Sequence, residues 1–211
     1  MASARTLVID TATRACSVAL FEEEQLLAHD YREIGRGHAE LLVPMIAELP
    51  DKGRANAIVV NVGPGSFTGV RIGLSTAKAL AFAWAATISA YHTHQLVAAR
   101  AFALHPGENC VTVVMTGGHG ELFVQKFDRD LRGYEAIVSV SPQDAVGLIS
   151  SRLVAGDAVD QIPDQPPLTI TDCQYPDAAD WGLLGAGFPS VAVSPAYVRA
   201  PDAVPNVGRH G

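Results

Sequence analysis

The apolar positions fall into short runs broken by tight polar links. Residues 6–9, 16–21 and 25–33 have strand length and strand composition, and the links between them suit an antiparallel meander. At 38–49 the period lengthens. Leu41, Leu42, Met45, Ile46 and Leu49 share one face of an amphipathic helix, with Pro44 inside it or bending it. The run at 57–62 is a buried strand, followed by a glycine-rich turn and an Ala-rich helix reaching about residue 86. A strand at 87–91 and a helix at 94–104 follow, the helix stopped by Pro106-Gly107.

The order βββαβαβα, with adjacent hairpins and right-handed crossovers, predicts a mixed five-stranded sheet with helices on both faces, the ribonuclease-H-like arrangement. The second half restarts the same order more weakly. Strands are expected at 111–115, 121–127, 134–140 and 152–155, with a short helix at 143–150 before the last of them. Residues 157–180, rich in proline and aspartate, read as loops, and 181–186 as part of a final helix. The tail at 195–202 reads as extended. The fold class is therefore α/β: a duplicated ribonuclease-H-like plan of the actin, Hsp70 and sugar-kinase kind. The expected domains are 1–106 and a smaller, degenerate 107–211.

The stretch from Gly63 to Gly73, GPGSFTGVRIG, organises the first half. A P-loop would need its second glycine where Thr68 stands and a lysine that is missing before Lys78. A dinucleotide fingerprint has its third glycine one residue late, at Gly69. A nucleophile elbow fails because Pro64 and Thr68 flank Ser66. Two readings stay open: a functional turn at a helix N-terminus, or a turn that only packs helix on sheet. In the helix that follows, Gly69, Gly73, Ala77, Ala81 and Ala85 form one small-residue ridge. Arg71, Ser75 and Lys78 form the one polar line, and a helix so apolar needs cover on both sides.

Bulk properties narrow the classes. The 211 residues are 48% hydrophobic and 18% charged, which suits a globular chain with a sizeable core. The net charge of −7 argues against nucleic-acid binding by this chain alone. Three cysteines without a C-x-x-C pair read as reduced thiols, which points to the cytoplasm. Asp10 interrupts the first apolar run, so no signal peptide is expected, and no apolar stretch is long enough for a membrane span.

Phosphoryl transfer in this architecture takes a carboxylate from each half, because Mg²⁺ prefers hard oxygen ligands. The first half offers Asp10. The matching second-half turn, Met115 to Gly120, offers none, and Glu121 comes later. Asp10 is the more simply read as a turn residue bonding its own backbone. His38 lacks a second histidine four residues on, where Leu42 stands. His92, His94 and His119 read as solvated or hydrogen-bonded side chains, and no serine–histidine–acid set can be assembled. A small ATPase or kinase using Asp10 and Thr11 remains the alternative to a non-catalytic role. A metallopeptidase would need a metal triad that the sequence lacks.

The stretches at 9–20, 38–46, 63–73 and 197–202 resemble the TsaB (YeaZ) family, most specifically at 63–73. The likeness is strong over roughly the first hundred residues and at the tail, and weak between. It implies an accessory, non-catalytic subunit in bacterial synthesis of N6-threonylcarbamoyladenosine in tRNAs that read codons beginning with A. The family is similar to the catalytic subunit TsaD but lacks its metal-binding histidine pair, whose positions match His38 and Leu42 here. It implies partners TsaD and TsaE, self-pairing when alone, and tRNA met only through the complex. No cofactor is implied for this chain alone, with ATP or ADP a candidate only at a partner interface. The implied partner surface is built on the first two helices, and His38, Leu42, Met45, Gly69, Gly73, Ala77 and Ala81 are expected there. The older label of the family, glycoprotease-like or peptidase M22, names an activity for which the sequence has no residues. Thr116-Gly117-Gly118 departs from the family's Asp-Ala-Arg, which leaves any second-half site open.

Overall fold

The computed structural model describes residues 4–163, 169–170, 173–185, 188 and 190–198. Strands β1 (Arg5–Asp10), β2 (Ala15–Glu22) and β3 (Gln25–Glu33) form the meander, and β1 also pairs in parallel with β4 (Ala57–Asn61). Strand β5 (Thr87–Tyr91) completes the sheet in the order β3-β2-β1-β4-β5. Helices α1 (His38–Glu48) and α2 (Phe67–Trp84) cover one face of this sheet, and α3 (Thr93–Leu104) packs on the other. Pro44 lies inside α1 without ending it. Ala85 closes α2 in the left-handed region at φ 54°, which ends the helix just short of the expected boundary.

The second sheet repeats the topology: β6 (Cys110–Thr116), β7 (Leu122–Asp128), β8 (Val138–Val140), β9 (Leu153–Ala155) and β10 (Thr169–Ile170), in the order β10-β9-β6-β7-β8. The antiparallel triplet and the two parallel pairings match those of the first sheet. Its elements are shorter than the pattern predicts. The strand expected at 134–140 is cut to three residues, because Gly133 bridges to Phe127 and the chain turns before it can pair. The helix expected at 143–150 is a four-residue α4 (Pro142–Ala145) capped by Ser141, continued by a 3-10 turn, Val146–Leu148. Inside the stretch read as loop lies β10, two residues with no apolar run to announce them. A 3-10 helix, Ala178–Leu184, starts three residues before the expected final helix; Ala186 lies outside the described residues. The tail is described as far as Val198, so 199–202 of the expected extended segment also lie outside.

One core cluster joins the halves. Val8, Phe21, Val59 and Tyr91 of the first sheet, the α3 residues Leu96, Val97 and Phe102, and Val111, Val113 and Leu153 of the second sheet belong to it. A second cluster fills the space between the first sheet and α1–α2, and a small third lies beneath α4. The sheets fall on either side of residue 106, whereas the joining cluster crosses it. Among the described residues no helix is long and apolar enough to cross a membrane.

Candidate functional site: the cleft between the sheets

A cleft of about 860 Å³ opens where the turns of both halves face each other. The β1–β2 turn contributes Thr13 and Arg14, and the glycine turn contributes Gly65, Ser66 and Phe67. The β6–β7 turn contributes Thr116 to His119, with Asp157, Tyr175 and Tyr197 closing the sides.

The glycine turn is built for backbone contact. A Cβ on Gly65 would stand 2.1 Å from the Ala12 carbonyl oxygen, and one on Gly69 2.1 Å from that of Thr11. Ser66 N–H donates to the Ala12 carbonyl at 2.7 Å, and the Ser66 hydroxyl caps α2 by accepting from Gly69 N–H. The Thr11 hydroxyl donates to the Gly69 carbonyl at 2.7 Å. Of the two readings of this turn, the packing one accounts for its glycines: they let α2 meet the first turn backbone to backbone.

The small-residue ridge continues that contact on the inward side of α2, toward this chain's own sheet. Gly69, Gly73, Ala77 and Ala81 are buried on this chain's own sheet, and a Cβ on Gly73 would meet Thr11, Val60 and Ile9. Leu42 and Met45 are fully buried, and His38 is buried with Nε2 3.2 Å from the Ala15 carbonyl oxygen. Strands rich in valine and isoleucine supply the bulk at this contact, so the helix side that fits closest is the small one. The outward sides of α1 and α2 carry Val43 and Phe82, the latter 92% exposed, and the polar line of Arg71, Ser75 and Lys78 is exposed.

Asp10 does not reach the cleft. It is buried, and its oxygens accept from Ala12 N–H at 3.1 Å, Asn61 Nδ2 at 2.7 Å and the Tyr91 hydroxyl at 2.7 Å. Asn61 Oδ1 accepts from Gly63 N–H and the Thr93 hydroxyl, so one polar network ties β1, the glycine turn, β5 and the start of α3. Burial pushes the Asp10 carboxyl up to about 6, and the bonds from Asn61, Tyr91 and Ala12 pull the other way. The turn-residue reading of Asp10 is correct as far as its bond to Ala12 goes. The bonds from Asn61 and Tyr91 are a part the sequence reading missed. The signal was present: a polar Asn61 and a Tyr91 each end an apolar strand.

The second-half turn does meet a carboxylate, one supplied from farther along the chain. Asp157, just past β9, accepts from Thr116 N–H at 2.7 Å, and burial pushes its carboxyl up. Glu121 accepts from the Ser139 hydroxyl at 2.6 Å. The expectation of a turn without acid holds for its own residues and fails for the assembled site. The histidines are hydrogen-bonded as read. His92 Nδ1 lies 3.0 Å from the Gly63 carbonyl oxygen, and His94 Nε2 lies 3.1 Å from that of Phe123. Burial lowers His92 and takes His94 down to about 4, and His94 Nδ1 has no partner. Burial pushes the thiols of Cys16 and Cys173 up to about 12, which leaves them unreactive. Among the described residues no group of three or more His, Cys, Asp or Glu is placed to hold a metal ion.

The chain matches the family model TsaD, tRNA N6-adenosine threonylcarbamoyltransferase, over residues 32–164. It is 35% identical over 134 residues to the tRNA threonylcarbamoyladenosine biosynthesis protein TsaB of Escherichia coli K12, covering 61% of this chain and 57% of that one. To the protein of the same name from Haemophilus influenzae it is 37% identical over 113 residues, covering 51% and 48%. The chain thus spans about half the length of the curated relatives it matches. The solved structure of YeaZ from Pseudomonas aeruginosa superposes with a TM-score of 0.77 at 30% identity, covering 92% of this chain and 99% of that one. A second solved structure, described as similar to peptidase YEAZ from Pseudomonas aeruginosa, superposes equally well, at 29% identity.

Proposed function

The chain belongs to the TsaB (YeaZ) family, and from that premise we propose that it serves the synthesis of N6-threonylcarbamoyladenosine in tRNA as a non-catalytic partner subunit. The observation that carries the non-catalytic part is Asp10. The one carboxylate that the first turn could offer a metal-bound phosphate accepts three hydrogen bonds from its own protein, beneath the cleft floor. Leu42, at the place of the second metal-binding histidine, is fully buried in the core of the first half. Asp157 is engaged by Thr116 and has no acid opposite it from the first turn.

The partner is a TsaD homologue, or a second copy of this chain when TsaD is absent, with TsaE joining the complex. Contact runs through the outward sides of α1 and α2, where Val43 and Phe82 stand exposed beside the buried ridge. Nucleotide, where present, sits at that partner interface. tRNA is met through the complex, since a net charge of −7 gives this chain no general attraction for phosphates. The reaction takes place in the cytoplasm.

Copurification from the host, with the bound proteins identified, tests the assignment. TsaD should accompany the wild type. The double variant Val43→Asp, Phe82→Asp should lose about tenfold or more in association while its thermal midpoint stays within a few degrees. Undiminished association would place the interface elsewhere. Steady ATP turnover by the pure chain, abolished by Asp10→Asn, would overturn the non-catalytic reading.

A further inference from the structure

The last described segment returns from the second half and lies across the first. Val191 N–H donates to the Ala90 carbonyl at 3.1 Å, and Ala90 N–H donates to the Ser190 hydroxyl at 3.0 Å. Val191 and Val193 pack against the core of the first half. Beyond Pro195 the hold is different in kind. Ala196 N–H donates to the Val62 carbonyl at 2.8 Å, and Tyr197 stands 46% exposed at the mouth of the cleft. There the Arg71 guanidinium lies 3.5 Å over the Phe67 ring and donates to the Tyr197 hydroxyl, from Nη2 at 2.8 Å and from Nε at 3.2 Å. The two rings tilt toward each other at 5.9 Å. Among the described residues Arg71 has no carboxylate within salt-bridge distance, so a neutral hydroxyl is its acceptor.

We propose that residues 194–198 form a releasable strap, hinged at Ser194-Pro195 and latched by Tyr197 on Arg71 and Phe67, which sets the width of the cleft. The anchored end is two half-buried valines, Val191 and Val193, packed on the core of the first half, together with the hydrogen bonds that Val191 and Ser190 share with Ala90. The latched end is one backbone hydrogen bond and an exposed aromatic–guanidinium stack, and contacts of that kind open locally at little cost. Ala196, Tyr197 and Val198 are themselves one wall of the cleft. Release therefore removes that wall, frees the Val62 carbonyl as an acceptor beside the glycine turn, and leaves the two sheets and α3 in place. The chain would then present two forms of one cleft, narrow when latched and wide when released, with the change confined to a few residues.

Native-state hydrogen exchange of the full chain reads this directly, because the Ala196 and Val191 amides report the two ends of the strap. In the wild type, Ala196 exchange should be insensitive to low urea, the mark of a local opening. Tyr197→Ala should speed it about tenfold, Arg71→Ala should do the same, and Tyr197→Phe should fall between. The Val191 amide should keep its rate in all three. The proposal is overturned if Ala196 keeps its wild-type rate in the alanine variants. It is equally overturned if both amides accelerate together, or if Ala196 exchanges only by urea-dependent global unfolding.

Discussion

The two sheets share one strand order and differ in what fills it. In the first, strands of five to nine residues are covered on one face by helices of eleven and eighteen residues. In the second, β8, β9 and β10 have three, three and two residues, and the helix on the outer face has four. The turns differ in the same direction. That of the first half is interleaved with α2 through Gly65 and Gly69, whereas in the second a Cβ on Gly117 would meet only Glu121 and Phe123 of its own hairpin and one on Gly118 nothing within 4 Å. Topology is thus repeated without the packing that supports it, and the second half leans on α3 and the joining core for what its own helices do not supply.

The sharpest way to break this comparison is to add one methyl group to each turn. Gly69→Ala drives a Cβ into the Thr11 carbonyl and should cost about 3 kcal/mol or more in urea unfolding. Gly118→Ala meets open space and should stay within about 0.5 kcal/mol of the wild type. Equal losses would mean that the second turn is packed as tightly as the first.

Next in size is a pair of opposed titrations. Asp10 has its carboxyl raised from 3.8 to about 6, so between those values the folded chain holds more protons and stability falls as pH rises. His94, between the sheets, is lowered from 6.5 to about 4, so there the unfolded chain holds more protons and stability rises with pH. Each amounts to about 3 kcal/mol, at 1.4 kcal/mol per pH unit, and across pH 4–6 they nearly cancel. Relative to wild type, Asp10→Asn should lose stability steeply on acidification from pH 6 to 4, and His94→Gln should gain it. Unfolding free energies at several pH values read both slopes; parallel curves for all three proteins would contradict the assignment.

A joint core also predicts one transition. Trp84 ends α2 and Trp181 packs edge-on against Phe21 in the joining core. Fluorescence from Trp84→Phe and from Trp181→Phe should therefore show urea midpoints in agreement once each variant's own stability change, read by circular dichroism, is allowed for. Two separated midpoints would mean that the halves unfold independently. The smallest effect expected is at the Arg100–Asp180 ion pair, 2.7 Å long and partly exposed, which links α3 to the 3-10 helix at 178–184. Arg100→Ala should cost less than about 1 kcal/mol, because solvent already screens the pair.

The sequence made the first half readable because its elements are long enough for a period to repeat. Strand β5 and helix α3 fall within one residue of where the pattern puts them. In β10 and β8 the period has no room to show, and pairing to β9 and β7 alone defines them. The site was harder for a different reason. Asp10 and Gly69 are plain in the sequence, but whether a carboxylate faces a cleft or a core depends on Asn61 and Tyr91, which lie far along the chain. The ridge of small residues was visible as a ridge. Which way it pointed depended on the bulk of the strands beneath it, since glycine and alanine permit close approach to a neighbouring sheet as readily as to a partner.

Helix α3 separates the unit of topology from the unit of packing. A boundary drawn at residue 106 assigns α3 to the first half, yet Ala101 and Phe102 share a core with Val111, Val113 and Leu153 of the second. Severed there, the first half would carry a helix with a wetted apolar flank, and the second would lose the floor of its sheet. One helix serves two sheets, so neither half has a complete core without it.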